Sequence, residues 1–282
     1  MEETHSRLAK AAFAASVAEA LTFPMDLVKT RFQLETSAQR GWRGKVESVA
    51  QVIRERGYFR GLYTGAPAAI LRHIPYTATR IATFEGLREW LGHEPRLIET
   101  LAMGFSAGAI GQFVSTPFDV VKIRLISDAS KAPHLQRYHG VWDAFVKIYS
   151  EKGVLGMWKG SSIAVQRAAL VNLGELSTYD VVKRKLIQTT SLTEDDSRTH
   201  ILASLSSGFC SSFISTPADV LKTRMMNDTS RSYRSSIQCL KDCVSSEGIR
   251  GLYKGFFTTW ARLGPWQLTF WVVYERLKAI HA

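Results

Sequence analysis

Apolar residues along the chain fall into long stretches broken by short polar ones, and three of the stretches break at the same kind of place. At each break a proline is followed by one acidic and then two basic positions. The apolar stretches predict long helices over 7–36, 66–91, 97–127, 161–188, 198–227 and 256–279. Shorter amphipathic helices are expected near 44–55, 140–150 and 234–246. A helix of 25 to 30 residues is about 38 to 45 Å long, enough to cross a bilayer with tilt. Yet no uninterrupted apolar run reaches 18 residues, and simple hydropathy would therefore place the chain in water. The charges inside the expected spans recur at fixed positions, which suits helices that face a watery interior.

The recurrence is threefold. Pro24-Met-Asp-Leu-Val-Lys-Thr-Arg31, Pro117-Phe-Asp-Val-Val-Lys-Ile-Arg124 and Pro217-Ala-Asp-Val-Leu-Lys-Thr-Arg224 share one pattern, their prolines 93 and 100 residues apart. Gly61-Leu-Tyr-Thr-Gly65, Gly156-Met-Trp-Lys-Gly160 and Gly251-Leu-Tyr-Lys-Gly255 follow. Phe84-Glu-Gly-Leu-Arg88, Tyr179-Asp-Val-Val-Lys183 and Tyr274-Glu-Arg-Leu-Lys278 close each unit at a spacing of 95 residues. A period this long is no solenoid repeat; it fits two long helices and a connecting segment. Pro24, Pro117 and Pro217 are expected to kink the odd-numbered helices, because proline lacks a backbone donor and clashes with the preceding turn. Small residues recur ahead of each proline (Ala11 and Ala15, Gly104 and Gly108, Ser204 and Gly208), a spacing that lets helix backbones approach closely in lipid.

The formal charge of +11 points to nucleic acid, a membrane surface or anionic small molecules as partners. Nucleic acid fits poorly, because the basic residues form no single stripe or arm and carry acids at fixed offsets. The three cysteines make no disulfide framework, and Cys239 and Cys243 have no second ligand pair for zinc. Gly104-Phe-Ser-Ala-Gly108 matches a hydrolase pattern but sits in a helical slot that holds no such motif in the other repeats. No phosphate-binding loop is present, and no constellation supports catalysis or a cofactor. The N-terminal residues have neither an apolar signal core nor an Arg-rich presequence, so no cleavable presequence is expected. His73 is a candidate proton group, more often structural in such a setting, and His134 and His139 are expected to be solvated.

Taken together, the triplicate motifs resemble those of the mitochondrial carrier family over essentially the whole chain. Within it the chain is most similar to the uncoupling branch. Glu19 ahead of Pro24, the run Gln166-Arg-Ala-Ala-Leu-Val-Asn-Leu-Gly-Glu175 and Ala261-Arg-Leu-Gly-Pro-Trp-Gln267 carry that likeness. The resemblance implies an all-α membrane protein of six tilted transmembrane helices in three pseudo-threefold repeats (1–92, 93–190 and 191–282), each with a short matrix-side amphipathic helix. It implies a multi-pass location in the mitochondrial inner membrane. Four positions depart from the family pattern: Gly57 is one residue farther from its aromatic, Lys152 replaces an acid before Gly153, Gln33 alone survives of three glutamines, and Phe84 replaces a tyrosine. These departures imply a matrix gate braced asymmetrically.

By the same resemblance, neighbouring helices exchange charge partners. Asp26 with Lys122, Asp119 with Lys222 and Asp219 with Lys29 would close the matrix end, with Gln33 as a brace. Glu85 with Lys183, Asp180 with Lys278 and Glu275 with Arg88 would close the cytoplasmic end, braced by Tyr179 and Tyr274. Thirteen residues before each acid of that second ring stand Arg72, Arg167 and Arg262, again 95 apart. Arginines at mid-membrane are expensive and usually functional, and three converging guanidiniums favour an anion. Arg80, Glu19, Asn172, Glu175 and Trp266 are further candidates for the cavity wall. The expected function is transport of a small anion (dicarboxylate, acidic amino acid, phosphate or sulfate) by alternating access; the alternative is a fatty-acid-dependent proton leak. Expected partners are these anions and membrane lipid, with cardiolipin at the matrix-side glycine elements. Fatty acids and purine nucleotides are further candidates, and the functional unit is expected to be a monomer.

Overall fold

The computed structural model describes residues 2–34, 47, 50–54, 57–93, 96–129, 131, 133–171, 178, 182, 197–228, 233 and 235–279. The long helices are α1 (Glu2–Leu34), α2 (Ala66–Leu91), α3 (Leu97–Asp128), α4 (described over 161–171), α5 (Ser197–Asn227) and α6 (Phe256–Ala279). No strand occurs among the described residues. α2 and α6 have the bounds expected from the sequence, and α1 begins earlier, at Glu2. Half of the expected 44–55 helix and most of 172–188 lie outside the described residues.

The described long helices pack side by side along much of a ring. α2 packs on α3, α5 on α6, and α6 returns to α1, while the odd helices α1, α3 and α5 also meet one another. The polarity of this ring is reversed relative to a water-soluble core. Phe13, Leu21, Leu101, Phe105, Phe209, Leu268 and Val272 are exposed on the long helices, whereas Asp26, Lys29, Asp119 and Asp219 are buried. A bundle dressed in large apolar side chains and filled with charge is built for an apolar surrounding. The same interior charges explain why none of the described helices is long and apolar enough to cross a membrane by hydropathy.

Prolines lie inside all three odd helices as expected. Pro117 cannot donate to the carbonyl of Phe113, four residues back. That carbonyl instead accepts a hydrogen bond from the Trp158 indole Nε1 at 3.0 Å. Trp158 is the aromatic of the second glycine element, so the repeat motif repairs the damage that its own proline causes. Thr22, Thr116 and Thr216, each just before a proline, donate back to the carbonyls of Ala18, Gln112 and Ser212.

Gly65, Gly160 and Gly255 begin the even helices with φ of 90°, 82° and 83°, a left-handed conformation that strongly favours glycine. They are also places of close approach. A Cβ would stand 3.2 Å from the Lys122 carbonyl at Gly65, 3.2 Å from Met226 at Gly160, and 3.3 Å from Gln33 at Gly255. Each glycine thus seats the start of one helix against the end of a neighbouring odd helix.

The short helix expected at 140–150 begins at Val141 and is broken at Gly153 (φ 64°, ψ −166°), beyond which a separate helical turn reaches Met157. One expectation needs correction. The small residues Gly104 and Gly108 are not sites of close packing, since a Cβ at either would meet nothing within 4 Å. Both face a cavity instead, and the close approach falls at Gly111, 3.0 Å from the Tyr76 carbonyl.

The tryptophan repair gives a direct test. Trp158→Phe keeps the ring but removes the donor to Phe113, and we expect a loss of about 1 kcal/mol, read as a lowered thermal unfolding midpoint in detergent. An unchanged midpoint would show that the freed carbonyl finds another donor.

Candidate functional site

The kinks aim the charged residues after each proline at the bundle axis. Lys29 Nζ donates to Asp219 at 2.7 Å, Lys122 Nζ to Asp26 at 2.7 Å, and Lys222 Nζ to Asp119 at 2.8 Å. The acids therefore pair between odd helices, and not with the lysine three residues on in their own helix. The three pairs form a cyclic ring that ties α1 to α3, α3 to α5, and α5 to α1. Gln33 lies beneath it: its Oε1 accepts from Thr223 Oγ1 at 2.8 Å, one turn past Asp219. Ile126 and Met226, at the equivalent places, are fully buried apolar side chains.

The arginines of the even helices reach the same aspartates. Arg262 Nε lies 2.8 Å from Asp26 Oδ1, Arg72 Nε lies 3.5 Å from Asp119 Oδ1, and Arg167 Nε is paired with Asp219 Oδ1. For Arg167 and Arg262 these are ion-pair contacts without hydrogen-bond alignment at Nε. Each aspartate is thus shared by one lysine and one arginine from two different helices. The sharing was missed in the sequence, where lysine ring and arginine triad stand as separate sets.

Threefold symmetry breaks two turns before each aspartate. Glu19, Gln112 and Ser212 occupy equivalent positions seven residues upstream of Asp26, Asp119 and Asp219. Glu19 is only 4% exposed and meets Lys122 at 3.0 Å, Arg262 at 3.5 Å and His73 at 3.9 Å. Gln112 donates to Asp119 at 2.8 Å. Gln112 was not singled out from the sequence, although aligning the repeats on Glu19 would have found it. Among the described residues six basic and four acidic side chains meet here, leaving a surplus of two positive charges.

Above this cluster a cavity of about 770 Å³ extends from Arg72 and Arg167 past Tyr76, Arg80 and Trp266 to Phe84 and Glu85. Arg80 and Glu85 are exposed, so this end reaches solvent. The Trp266 indole nitrogen is buried without a hydrogen-bond partner among the described residues, and its ring stacks on Phe270. Tyr274 continues the stack at 5.8 Å from Phe270. Ala12, Ala15 and Gly104 leave room on the opposite wall. Asn172, Glu175, Tyr179, Asp180 and Lys183 lie outside the described residues, as do the side chains of Glu275 and Lys278. Of the expected cytoplasmic ring the structure therefore describes the exposed Glu85 and Arg88 and the half-buried Tyr274.

The last base of each proline motif has its own task. Arg31 donates toward the carbonyls of Ile126 and Ser127 at 3.4 Å, Arg124 to that of Met226 at 3.2 Å, and Arg224 to that of Gln33 at 3.3 Å. Each caps the C-terminal carbonyls of the next odd helix, where a cation also suits the helix dipole. Below Arg224, Cys243 and Glu247 complete its shell at 3.0 and 2.7 Å.

Three copies of a kinked-helix pair around a charged, partly open interior define a membrane-embedded solute carrier. The chain belongs to the mitochondrial carrier family, whose model, described as mitochondrial carrier protein, matches residues 2–95, 93–190 and 194–281. Among its relatives, mitochondrial uncoupling protein 3 of Arabidopsis thaliana is 43% identical, covering 98% of this chain and 94% of the relative. Mitochondrial brown fat uncoupling protein 1 of Canis lupus familiaris is 34% identical over 96% and 91% of the two chains. Kidney mitochondrial carrier protein 1 of Xenopus laevis is 35% identical over 95% of each. The chain is accordingly a multi-pass transporter of the inner mitochondrial membrane and not an enzyme, and its short amphipathic helices lie on the matrix side.

Sharing of the aspartates has a consequence for mutagenesis. The reciprocal exchange Asp119→Lys with Lys222→Asp restores one pair but sets a lysine against Arg72. Its unfolding midpoint is expected to stay at or below that of Asp119→Asn alone; recovery to wild type would show that the lysine pairs act without the arginines.

Proposed function

We propose that the chain moves a small anion across the inner membrane by alternating access, with Arg72, Arg167 and Arg262 as its binding groups. The observation that supports this reading is the sharing of each ring aspartate between a lysine and an arginine. An entering carboxylate or phosphate competes for the guanidiniums, which grip such groups in a fork. Each arginine drawn upward leaves its aspartate held by the lysine alone. Opposite charges at about 4 Å attract by roughly 4 kcal/mol at an effective dielectric near 20, and desolvation offsets much of it. Loss of a second cation from each aspartate is therefore enough to loosen the matrix ring. In this reading Asp26, Lys29, Asp119, Lys122, Asp219 and Lys222 form the matrix gate, closed in this conformation. Glu85, Arg88, Asp180, Lys183, Glu275 and Lys278 form the opposing gate, which closes as the first opens.

A second reading is a fatty-acid-dependent proton leak, and the relatives' names favour it over metabolite exchange. Two of the three relatives above are called uncoupling proteins. The cavity suits an amphiphilic acid as well as a small one, because Ile81, Phe84, Val171, Trp266 and Phe270 line it beside Arg72 and Arg167.

Purified protein in liposomes separates the two. Labelled aspartate, malate, oxaloacetate, phosphate or sulfate is supplied outside, with unlabelled anion inside, and proton current is followed with and without fatty acid. For the anion reading we expect uptake stimulated by internal substrate and reduced at least about tenfold by Arg167→Ala, the cost of about 1.4 kcal/mol or more in lost charge-assisted bonding. If no anion moves and fatty acid evokes a proton current, the leak is the function.

A further inference from the structure

The matrix ends of repeats 2 and 3 differ at one charged position, an acid in repeat 3 and a lysine in repeat 2. In repeat 3 the Arg224 guanidinium is neutralised by Glu247 at 2.7 Å, Lys254 meets the same carboxylate at 2.7 Å, and Cys243 accepts from Arg224 at 3.0 Å. The equivalent positions in repeat 2, each 95 residues earlier, are Lys152, Lys159 and Ile148. Arg124 thus loses both its carboxylate and its thiol and faces a lysine instead. Its side chain is 1% exposed, and both Nη1 and Nη2 are buried with no hydrogen-bond partner among the described residues. Only Nε is used, in the bond to the Met226 carbonyl.

Lys152 Nζ turns to the Asp228 carbonyl at 3.1 Å, and Lys159 Nζ to the Asp228 carboxylate at 2.5 Å. Lys152 and Lys159 therefore meet at Asp228, and Arg124 acts on Lys152 from close by. Burial beside Arg124 and Lys159 pulls the Lys152 ammonium down to about 8, as expected of a cation set among cations. A buried guanidinium whose two Nη atoms have no partner among the described residues is costly, and an oxyanion would supply the acceptors it lacks.

We propose that Arg124, Lys152 and Lys159 form a matrix-side binding site for a phosphate-type oxyanion, which takes the place that the Glu247 carboxylate fills in repeat 3. The site is separate from the central cavity. Arg124 lies two residues beyond Lys122 on α3 and is bonded to α5, so a bound anion would clamp these two odd helices where the lysine ring closes. The oxyanion is either free phosphate or a lipid headgroup.

The test uses the full chain in cardiolipin-free detergent, with inorganic phosphate titrated at constant ionic strength and the thermal unfolding midpoint followed. We expect a saturable rise of about 2–4 °C in wild type. Lys152→Glu, which restores the carboxylate, should start above wild type in phosphate-free buffer and show less than about a quarter of the rise. Lys152→Gln should start between them and need more phosphate. A second titration replaces phosphate with cardiolipin; if only the lipid raises wild type and spares Lys152→Glu, the headgroup is the source. The proposal is overturned if both proteins respond equally, if neither anion shifts wild type, or if Lys152→Glu starts below wild type.

Discussion

Each buried aspartate of the matrix ring is held by two cations from two different helices, and the rest of the bundle is arranged around that shared contact. A buried carboxylate with one partner is marginal, because desolvation cancels most of the attraction. With two partners it is secure, and removal of either has a graded effect instead of a catastrophic one. This is the property the proposed gate would need: closed firmly at rest, yet open to release by a ligand that draws off one of the two cations. Proline kinks bring the aspartate and lysine inward, and the even helices bring the arginine down to the same oxygen atoms.

Geometry at the ends of the odd helices serves the same contact. Arg31, Arg124 and Arg224 tie each odd helix to the C-terminal carbonyls of the next. Gly65, Gly160 and Gly255 let the even helices start in contact with those same ends. An ion pair of this length is sensitive to displacements well below the width of a side chain, so tying the helix ends fixes the distances of the ring. Repeat 3 makes this tie with a complete charge shell around Arg224, whereas repeat 2 leaves Arg124 short of an acid.

Much of the architecture was legible in the sequence because the three repeats carry the same chemistry at the same offsets. A spacing of 95 residues located the arginines, and the proline motif located the ring. Less legible were contacts between residues far apart in the chain. The Trp158 bond to Phe113 joins residues 45 apart, and no local pattern marks it. Gln112 escaped notice because its equivalents are an acid and a serine, and symmetry broken in residue type hides symmetry of position. Gly104 and Gly108 misled for a different reason. Small-residue spacing signals either close packing or open volume, and only the neighbouring helix decides which.

The distribution of charge explains why hydropathy and function point in opposite directions here. A mean hydropathy of −0.06 suits a chain in water, yet among the described residues many large apolar side chains lie outward and the ring of ionised groups lies buried. A bundle of this kind gathers its polar residues at the axis, and among the described residues the aspartate ring there is positive by two charges. Such a surplus, left buried, is costly, and the cost falls when an anion arrives. Metabolite carriage and proton leak are then two outcomes of one electrostatic fact. On the proposed reading an anion would be drawn to the arginines in both, and the difference would lie in whether it crosses as the charged species or returns as the neutral acid.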